Sequence, residues 1–169
     1  MCDKIRLAGV VSESIVDGPG IRYVVFAQGC PHKCEGCHNP QTHDMNGGYE
    51  ESAEDILNDI AQNPLLTGVT LSGGEPFLQA KQLLPLAQKI KERRLNLIIY
   101  SGYTYEEIVK VGERDEAWIL LLSCADWLID GKFEKDKSDP DIKFRGSTNQ
   151  RIIDVKKSME CKSPVSADI

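Results

Sequence analysis

An α/β fold built on a mostly parallel sheet is predicted by three features of the chain. Short apolar, β-rich runs alternate with helix-patterned segments, as in βαβ units. The runs are almost free of polar residues, which suits strands covered on both faces. The conspicuous glycine-containing turns follow the ends of these runs. About five or six strands are expected, too few for a closed eight-unit barrel of about 250 residues. The expected architecture is an open or partial (βα) barrel, formed as a single domain by all 169 residues.

The first strand, residues 22–27 (Arg-Tyr-Val-Val-Phe-Ala), leads directly into a cysteine-rich loop. A helix follows from Ser52. Ala53, Ile56, Leu57, Ile60 and Ala61 recur at helical spacing, with Ser52 as N-cap and Asp55 three residues on. Residues 68–72 (Gly-Val-Thr-Leu-Ser) read as the second strand, ending in Gly73-Gly74-Glu75-Pro76. Leu83, Leu84, Leu86, Ala87 and Ile90 mark the next helix, in which Pro85 is tolerated in the first turn and causes a kink elsewhere. Its basic end, from Lys89 to Arg94, suits the helix dipole. Residues 96–100 (Asn-Leu-Ile-Ile-Tyr) are the third strand, closing on Ser101-Gly102. Thr104 and Glu107 form a capping box for a further helix. Residues 117–124 read as a buried helix, 127–130 (Trp-Leu-Ile-Asp) as the fourth strand and 150–155 as the last. Residues 157–169 are expected to be a mobile polar tail. Trp118, Trp127 and Cys124 read as core residues, and Cys2 and Cys161 as free terminal thiols.

Composition narrows the function. A formal net charge of −6 makes this a poor candidate for binding nucleic acid. No apolar run approaches the roughly 20 residues of a membrane span. The first residues carry no apolar stretch of signal-peptide type, and a cytoplasmic location is expected. Six cysteines in a reducing compartment point to metal binding or catalysis more than to disulfides.

Cys30, Cys34 and Cys37 share one loop as Cys-x-x-x-Cys-x-x-Cys. A cubane iron–sulfur cluster takes four ligands. This loop supplies three, which leaves one iron open to a non-protein ligand. A structural zinc site would combine these cysteines with His32, His38 or His43, although zinc sites favour ligand pairs separated in sequence. An electron carrier would need a fourth cysteine, brought back by the fold from Cys2, Cys124 or Cys161. An open iron needs a pocket for its ligand. The Gly73-Gly74-Glu75 turn offers backbone that a ligand can approach closely and a carboxylate suited to an ammonium group. Ligands of parallel α/β sheets sit at the carboxyl ends of the strands. That rule places the cysteine loop, Gly73-Gly74-Glu75, Ser101-Gly102 and Asp130-Gly131-Lys132 on one face.

The two motifs together resemble the radical S-adenosylmethionine superfamily. The resemblance implies a 4Fe-4S cluster on Cys30, Cys34 and Cys37 whose fourth iron binds the amino and carboxylate groups of S-adenosylmethionine. One electron then cleaves the cofactor to methionine and a 5′-deoxyadenosyl radical, which abstracts a hydrogen atom; the cofactor carries the difficult chemistry and the protein positions it. Val16-Asp17-Gly18-Pro19-Gly20-Ile21-Arg22 resembles the stretch before the cluster in activating proteins of glycyl-radical enzymes. The segments from Cys34 to Thr42, Tyr100 to Thr104, Leu128 to Phe133 and Phe144 to Arg151 extend the match to the anaerobic ribonucleoside-triphosphate reductase-activating family, from about Ile5 to Val155.

The implied substrate is a glycine near the reductase C-terminus. The implied electron donor is a flavodoxin or ferredoxin, and the implied assembly a homodimer or a complex with the reductase dimer. On this resemblance Gly73, Gly74 and Glu75 contact the methionine. Ser101, Asp130 and Lys132 contact its carboxylate or the ribose, with an ion pair as the other reading of Asp130 and Lys132. Gly36, Cys37 and His38 lie near the adenine. Gly36 departs from the wider superfamily, which often has an aromatic residue there, and agrees with the Gly-Cys-x-Asn pattern of the reductase-activating branch. His32 and His43 read as loop residues, and Arg145, Asn149 and Gln150 as structural or partner-facing. No acid–base pair stands out, and hydrogen-atom transfer requires none: it needs proximity and the exclusion of competing donors. The alternatives are a radical enzyme acting on a small molecule, an activase of another glycyl-radical enzyme, and a non-enzymatic zinc or iron–sulfur module.

Overall fold

The computed structural model describes residues 4–169, so Cys2 lies outside the described residues. In chain order the elements are β1 (Ile5–Ser14), β2 (Arg22–Ala27), β3 (Tyr49–Glu51), α1 (Ala53–Ala61), β4 (Gly68–Gly73), α2 (Ala80–Glu92), β5 (Asn96–Ser101), α3 (Tyr105–Gly112), α4 (Glu116–Cys124), β6 (Trp127–Asp130), β7 (Arg151–Asp154) and α5 (Val155–Cys161). The strands form one seven-stranded sheet in the order β3-β1-β2-β4-β5-β6-β7. Neighbours from β2 to β6 are parallel, and β1, β3 and β7 pair antiparallel.

Each predicted strand and helix is present. Ser52 caps α1 by accepting from the Asp55 N–H, and the Thr104–Glu107 capping box opens α3. Pro85 lies inside α2, beyond its first turn, with its ring exposed, so the missing N–H faces solvent. The sheet has more strands than expected because β1 and β3 join it. Shifts in the β1–β2 register, between Leu7 and Gly9 and between Val11 and Ser14, break the two-residue alternation that marks a strand in sequence. β3 is only three residues long, Tyr-Glu-Glu, and no periodicity could announce it.

The sheet has two unlike faces. Tyr23, Val25, Val69, Leu71, Leu97, Ile99 and Leu128 point one way, into a core shared with Ile56 and Ile60 of α1, Leu83, Leu86 and Ile90 of α2, and Leu121 and Leu122 of α4. Val24, Ile98 and Ile129 are equally buried but lie outside that cluster, on the opposite face. Among the described residues no helix covers them. The turn between β1 and β2 does so, with Thr70 Oγ1 donating to the Asp17 carbonyl at 2.8 Å. The segment before β7 does so as well, with the Tyr100 hydroxyl donating to the Phe144 carbonyl at 2.7 Å. Arg22 lies at the amino-terminal end of this face, with 1% of its surface exposed.

Residues 157–169 do not form the mobile tail expected of them. Part of the segment is α5, and the remainder returns to β7: the Asp154 N–H donates to the Val165 carbonyl and the Ala167 N–H to the Ile152 carbonyl, both at 2.9 Å. The Val165 N–H also donates to Ser158 Oγ at 2.8 Å. Polarity suggested freedom, whereas these polar groups are spent on backbone pairing. Deleting residues 163–169 is expected to destabilise the chain by roughly 1–3 kcal/mol, at about 1 kcal/mol for each of the lost hydrogen bonds. A denaturant titration of the shortened chain checks this. Among the described residues no helix is long and apolar enough to cross a membrane.

Candidate functional site

The loop after β2 carries the three cysteines and turns sharply to do so. Gly29, Lys33 and Gly36 all adopt positive φ, at 99°, 49° and 76°. Its base is pinned by the Gly29 N–H on the Thr42 carbonyl at 2.7 Å and by Gln28 Nε2 on the carbonyls of Gln41 and Asp44. Cys30 is buried, and Cys34 and Cys37 are half-buried. Burial pushes the Cys30 and Cys34 thiols above their ordinary range, while backbone hydrogen bonds at His32 and Lys33 for Cys30, and at Phe133 for Cys34, pull the other way. The Asn39 N–H points at Cys37 Sγ at 3.4 Å. Such N–H groups are what a thiolate needs once a cation has displaced its proton.

All three cysteines line one cavity of about 550 Å³ at the carboxyl ends of the parallel strands. Gly73, Gly74, Ser101, Lys132 and His38 share its wall, so the motifs from different strand ends converge as expected. Gly73 has φ of 89°, and a Cβ there would lie 2.6 Å from the Ala27 nitrogen; one on Gly74 would lie 2.3 Å from the Gly29 carbonyl oxygen. Only glycine lets the β4 turn press this closely against the start of the cysteine loop.

Three of the expected cofactor contacts do not themselves line this wall. Asp130 is in phase with Leu128, so its side chain points to the helical face, away from the cavity. There it accepts from Arg151 Nε at 2.9 Å and from the Tyr105 N–H at 2.7 Å, at the start of α3. The ion-pair reading of Asp130 therefore holds, and the pair is largely buried on the carboxylate side. Glu75 is fully buried and absent from the wall; its carboxylate accepts from His32, Ser101, Gly102 and Phe77 in place of a ligand ammonium group. Gly36 also stands off the wall, with the Phe133 ring 3.3 Å from where its Cβ would be. Replacing Asp130 by alanine is expected to cost about 2 kcal/mol, by stranding the Tyr105 N–H and part of Arg151. Cofactor affinity should be unchanged; chemical denaturation and a binding titration on the same variant check both.

Other residues of the wall escaped the sequence reading. Ser72 and Tyr100 are one position out of phase with Leu71 and Ile99, which puts them on the helix-free face. Polar side chains alternating within apolar strands were the available signal. Phe133 stands beside His38, with ring centroids 5.1 Å apart. The far wall, including Phe144 and Arg145, is held by Gln150. Its Oε1 accepts from the N–H groups of Gly146 and Ser147 at 2.8 and 3.1 Å, and its Nε2 donates to the Gly131 carbonyl at 3.0 Å. Asn149 Nδ2 donates to the Lys132 carbonyl, so Asn149 and Gln150 serve as struts of the wall. His43 also borders the cavity, and its buried Nε2 has no partner among the described residues.

Residues 16–153 match the family described as a 4Fe-4S single cluster domain. The anaerobic ribonucleoside-triphosphate reductase-activating protein of Vibrio cholerae is 34% identical over 146 residues, which cover 82% of this chain and 90% of that one. The protein of the same description from Pasteurella multocida is 37% identical over the same shares. The chain belongs to the anaerobic ribonucleoside-triphosphate reductase-activating protein family. The pyruvate formate-lyase-activating enzyme of Clostridium pasteurianum is 43% identical over 114 residues, covering 62% of this chain and 48% of that one. Among solved structures, QueE from Escherichia coli superposes with a TM-score of 0.48 at 21% identity, over 60% of this chain and 53% of that one.

The donor set in this member of the reductase-activating family fits such a cluster. Three thiols and backbone N–H donors border one cavity, and glycines open its neighbouring wall. Among the described residues no three Cys, His, Asp or Glu side chains converge as they would on a single metal ion. The cysteines of a cubane instead each bind a different iron, spread around the cluster.

Proposed function

We propose that this chain generates the glycyl radical of an anaerobic ribonucleoside-triphosphate reductase, with a 4Fe-4S cluster on Cys30, Cys34 and Cys37 and S-adenosylmethionine as cofactor. The observation that carries this reading is the cavity itself: three thiols, one ligand short of a cubane, facing the Gly73-Gly74 turn across the carboxyl ends of a parallel sheet. When bound, the cluster and cofactor together supply an electron and a 5′-deoxyadenosyl radical able to take a hydrogen atom from a glycine.

The chain's own residues do the rest. The Gly74 N–H is spent on the Ala27 carbonyl, so the Gly73-Gly74 turn offers its carbonyl groups to the ammonium of the methionine end, and the exposed Lys132 ammonium suits its carboxylate. Ser101 borders this end through the turn it belongs to. His38 and Phe133 offer ring faces to the adenine, close to Cys37. The helix-free face acts as the inside of a partial (βα) barrel, roofed by the loops from the β1–β2 turn and the segment before β7. Ile15 and Val16 border the cavity while 76% and 72% exposed, and this open side admits the glycine-bearing segment of the reductase. Closure by the partner would then exclude competing hydrogen donors. A reduced flavodoxin or ferredoxin supplies the electron, in the cytoplasm, to this single domain acting as a homodimer or within a complex with the reductase dimer.

The test is anaerobic. The chain is reconstituted with iron and sulfide, reduced, and mixed with S-adenosylmethionine and the reductase; a glycyl radical signal on the reductase by electron paramagnetic resonance is the expected result. Cofactor cleavage with no protein radical would overturn the assignment in favour of a small-molecule substrate. The similarity to a pyruvate formate-lyase-activating enzyme favours another glycyl-radical enzyme as the second reading. Running pyruvate formate-lyase in parallel separates the two.

A further inference from the structure

Glu75 directly follows the two cavity-lining glycines, yet its carboxylate is turned inward and none of it is exposed. Donors from three loops occupy it. Oε2 accepts from His32 Nε2 at 2.7 Å and from the Gly102 N–H at 2.9 Å. Oε1 accepts from Ser101 Oγ at 2.9 Å and from the Phe77 N–H at 3.1 Å. A carboxylate has about four acceptor sites, and here all are met. Burying it is costly unless they stay met, so this hub favours one spacing of the three loops.

His32 is the part of the hub that belongs to the cysteine loop. It lies midway between Cys30 and Cys34, and its side chain is 5% exposed. Residues 31–33 make no backbone–backbone hydrogen bond among the described residues; the His32 and Lys33 backbones turn in to the Cys30 thiol, and the side-chain bond to Glu75 ties this stretch to the turns after β4 and β5. The ring itself is clamped. Tyr103 meets it edge-on with centroids 4.4 Å apart, and a Cβ on Gly102 would lie 2.4 Å from it. Tyr103 packs on Trp118 and Trp118 on Phe77, which carries the clamp into the helical core.

We infer that His32 is a positioning residue: through Glu75 it ties the cysteine loop to the turns after β4 and β5, and so sets the spacing between the cluster and the surface on which the cofactor's methionine end rests. The inference rests on the function proposed above. Glu75 contributes through its hydrogen bonds to His32 and Ser101, without touching the cofactor.

The test compares His32→Ala and His32→Gln with the unaltered full-length chain, each loaded with cluster anaerobically. Iron and sulfide content, S-adenosylmethionine affinity by equilibrium dialysis, and the change that the cofactor induces in the paramagnetic signal of the reduced cluster are measured. His32→Ala should hold its cluster but bind the cofactor about tenfold more weakly, as is typical when a supporting residue of a metal site is lost. Its cofactor-induced spectral change should be diminished. His32→Gln keeps an N–H donor toward Glu75 and should recover most of the affinity, which a purely space-filling role would not produce. Unchanged affinity and spectrum in His32→Ala would overturn the inference. If that variant loses its cluster or its fold, Tyr103→Leu decides, since it removes the ring that clamps His32 and lines neither the cavity nor the cysteine loop; weaker cofactor binding supports the inference and unchanged binding overturns it. An unaltered chain that holds a cluster but does not respond to S-adenosylmethionine would overturn the functional reading, and the inference with it.

Discussion

Replacing Cys34 by alanine is expected to abolish the cluster and all radical formation. Two thiolates cannot hold a cubane that already lacks one protein ligand, and among the described residues no neighbouring cysteine can substitute. Cys124 is in α4 and Cys161 in α5, and neither borders the cavity. The loss should exceed the ~10–100-fold effect of removing a mere supporting residue. The fold should survive, because Cys34 is only half-buried and substitutions of this kind cost about 1 kcal/mol. Iron and sulfide per chain, measured beside a thermal melt of the cluster-free protein, separate the two effects. Iron and sulfide at the unaltered level in Cys34→Ala would remove this residue from the ligand set.

The second large effect is on stability and lies at the other end of the strands. Arg22 is buried without a carboxylate partner among the described residues. Its guanidinium instead bridges three parallel strands. Nε donates to Thr70 Oγ1 at 2.8 Å, and Nη2 to the Val69 carbonyl at 2.8 Å and Asn96 Oδ1 at 2.9 Å, while Nη1 reaches the Pro19 carbonyl at 3.2 Å. Burial pulls its pKa down to about 10, against the opposing pull of Tyr100, Asp126 and Asp17. Because the pKa of this base falls on folding, its contribution to stability changes only above that pH; near pH 7 it is charged in both folded and unfolded chains.

Arg22→Ala would leave a cavity and several buried acceptors without donors, at a cost of about 3–5 kcal/mol. For a chain of this size that is a melting temperature lower by roughly 10 °C. Arg22→Lys should recover only part of the loss, since an ammonium lacks the planar fork that spans Thr70, Val69 and Asn96. A loss under about 1 kcal/mol for the alanine variant would show that the bridge is not what holds these strand ends.

The parallel strands are legible in the sequence because each is an apolar run of uniform character, and the helices because Ser52 and Thr104 announce their starts. β1 is not, since its bulges shift the alternation midway, and β3 exists only through its pairing with β1. The cysteines and the paired glycines were readable from spacing and from backbone demands. Asp130 and Glu75 were not, for different reasons. A residue at a strand's carboxyl end lies near the ligand side, but the two-residue alternation decides which face its side chain takes. Asp130 follows Leu128 onto the helical face, while Tyr100 follows Ile98 onto the other. The hub around Glu75 joins residues 32, 75, 77, 101 and 102, separations over which sequence pattern carries no information.

The outermost strands of the sheet offer little to recruit. On one side β3 offers three residues, two of them glutamates, too short and too charged to template another chain's strand. On the other, β7 is already paired along its outer side, where Ser166 bridges to Ile153. The outer edge of β1 beyond Leu7, which β3 does not reach, is left for a strand to extend, while the loops around the cavity mouth can be recognised only by shape and side-chain chemistry. Recognition of this kind couples docking to the site itself: whatever binds here covers the cysteines as it arrives.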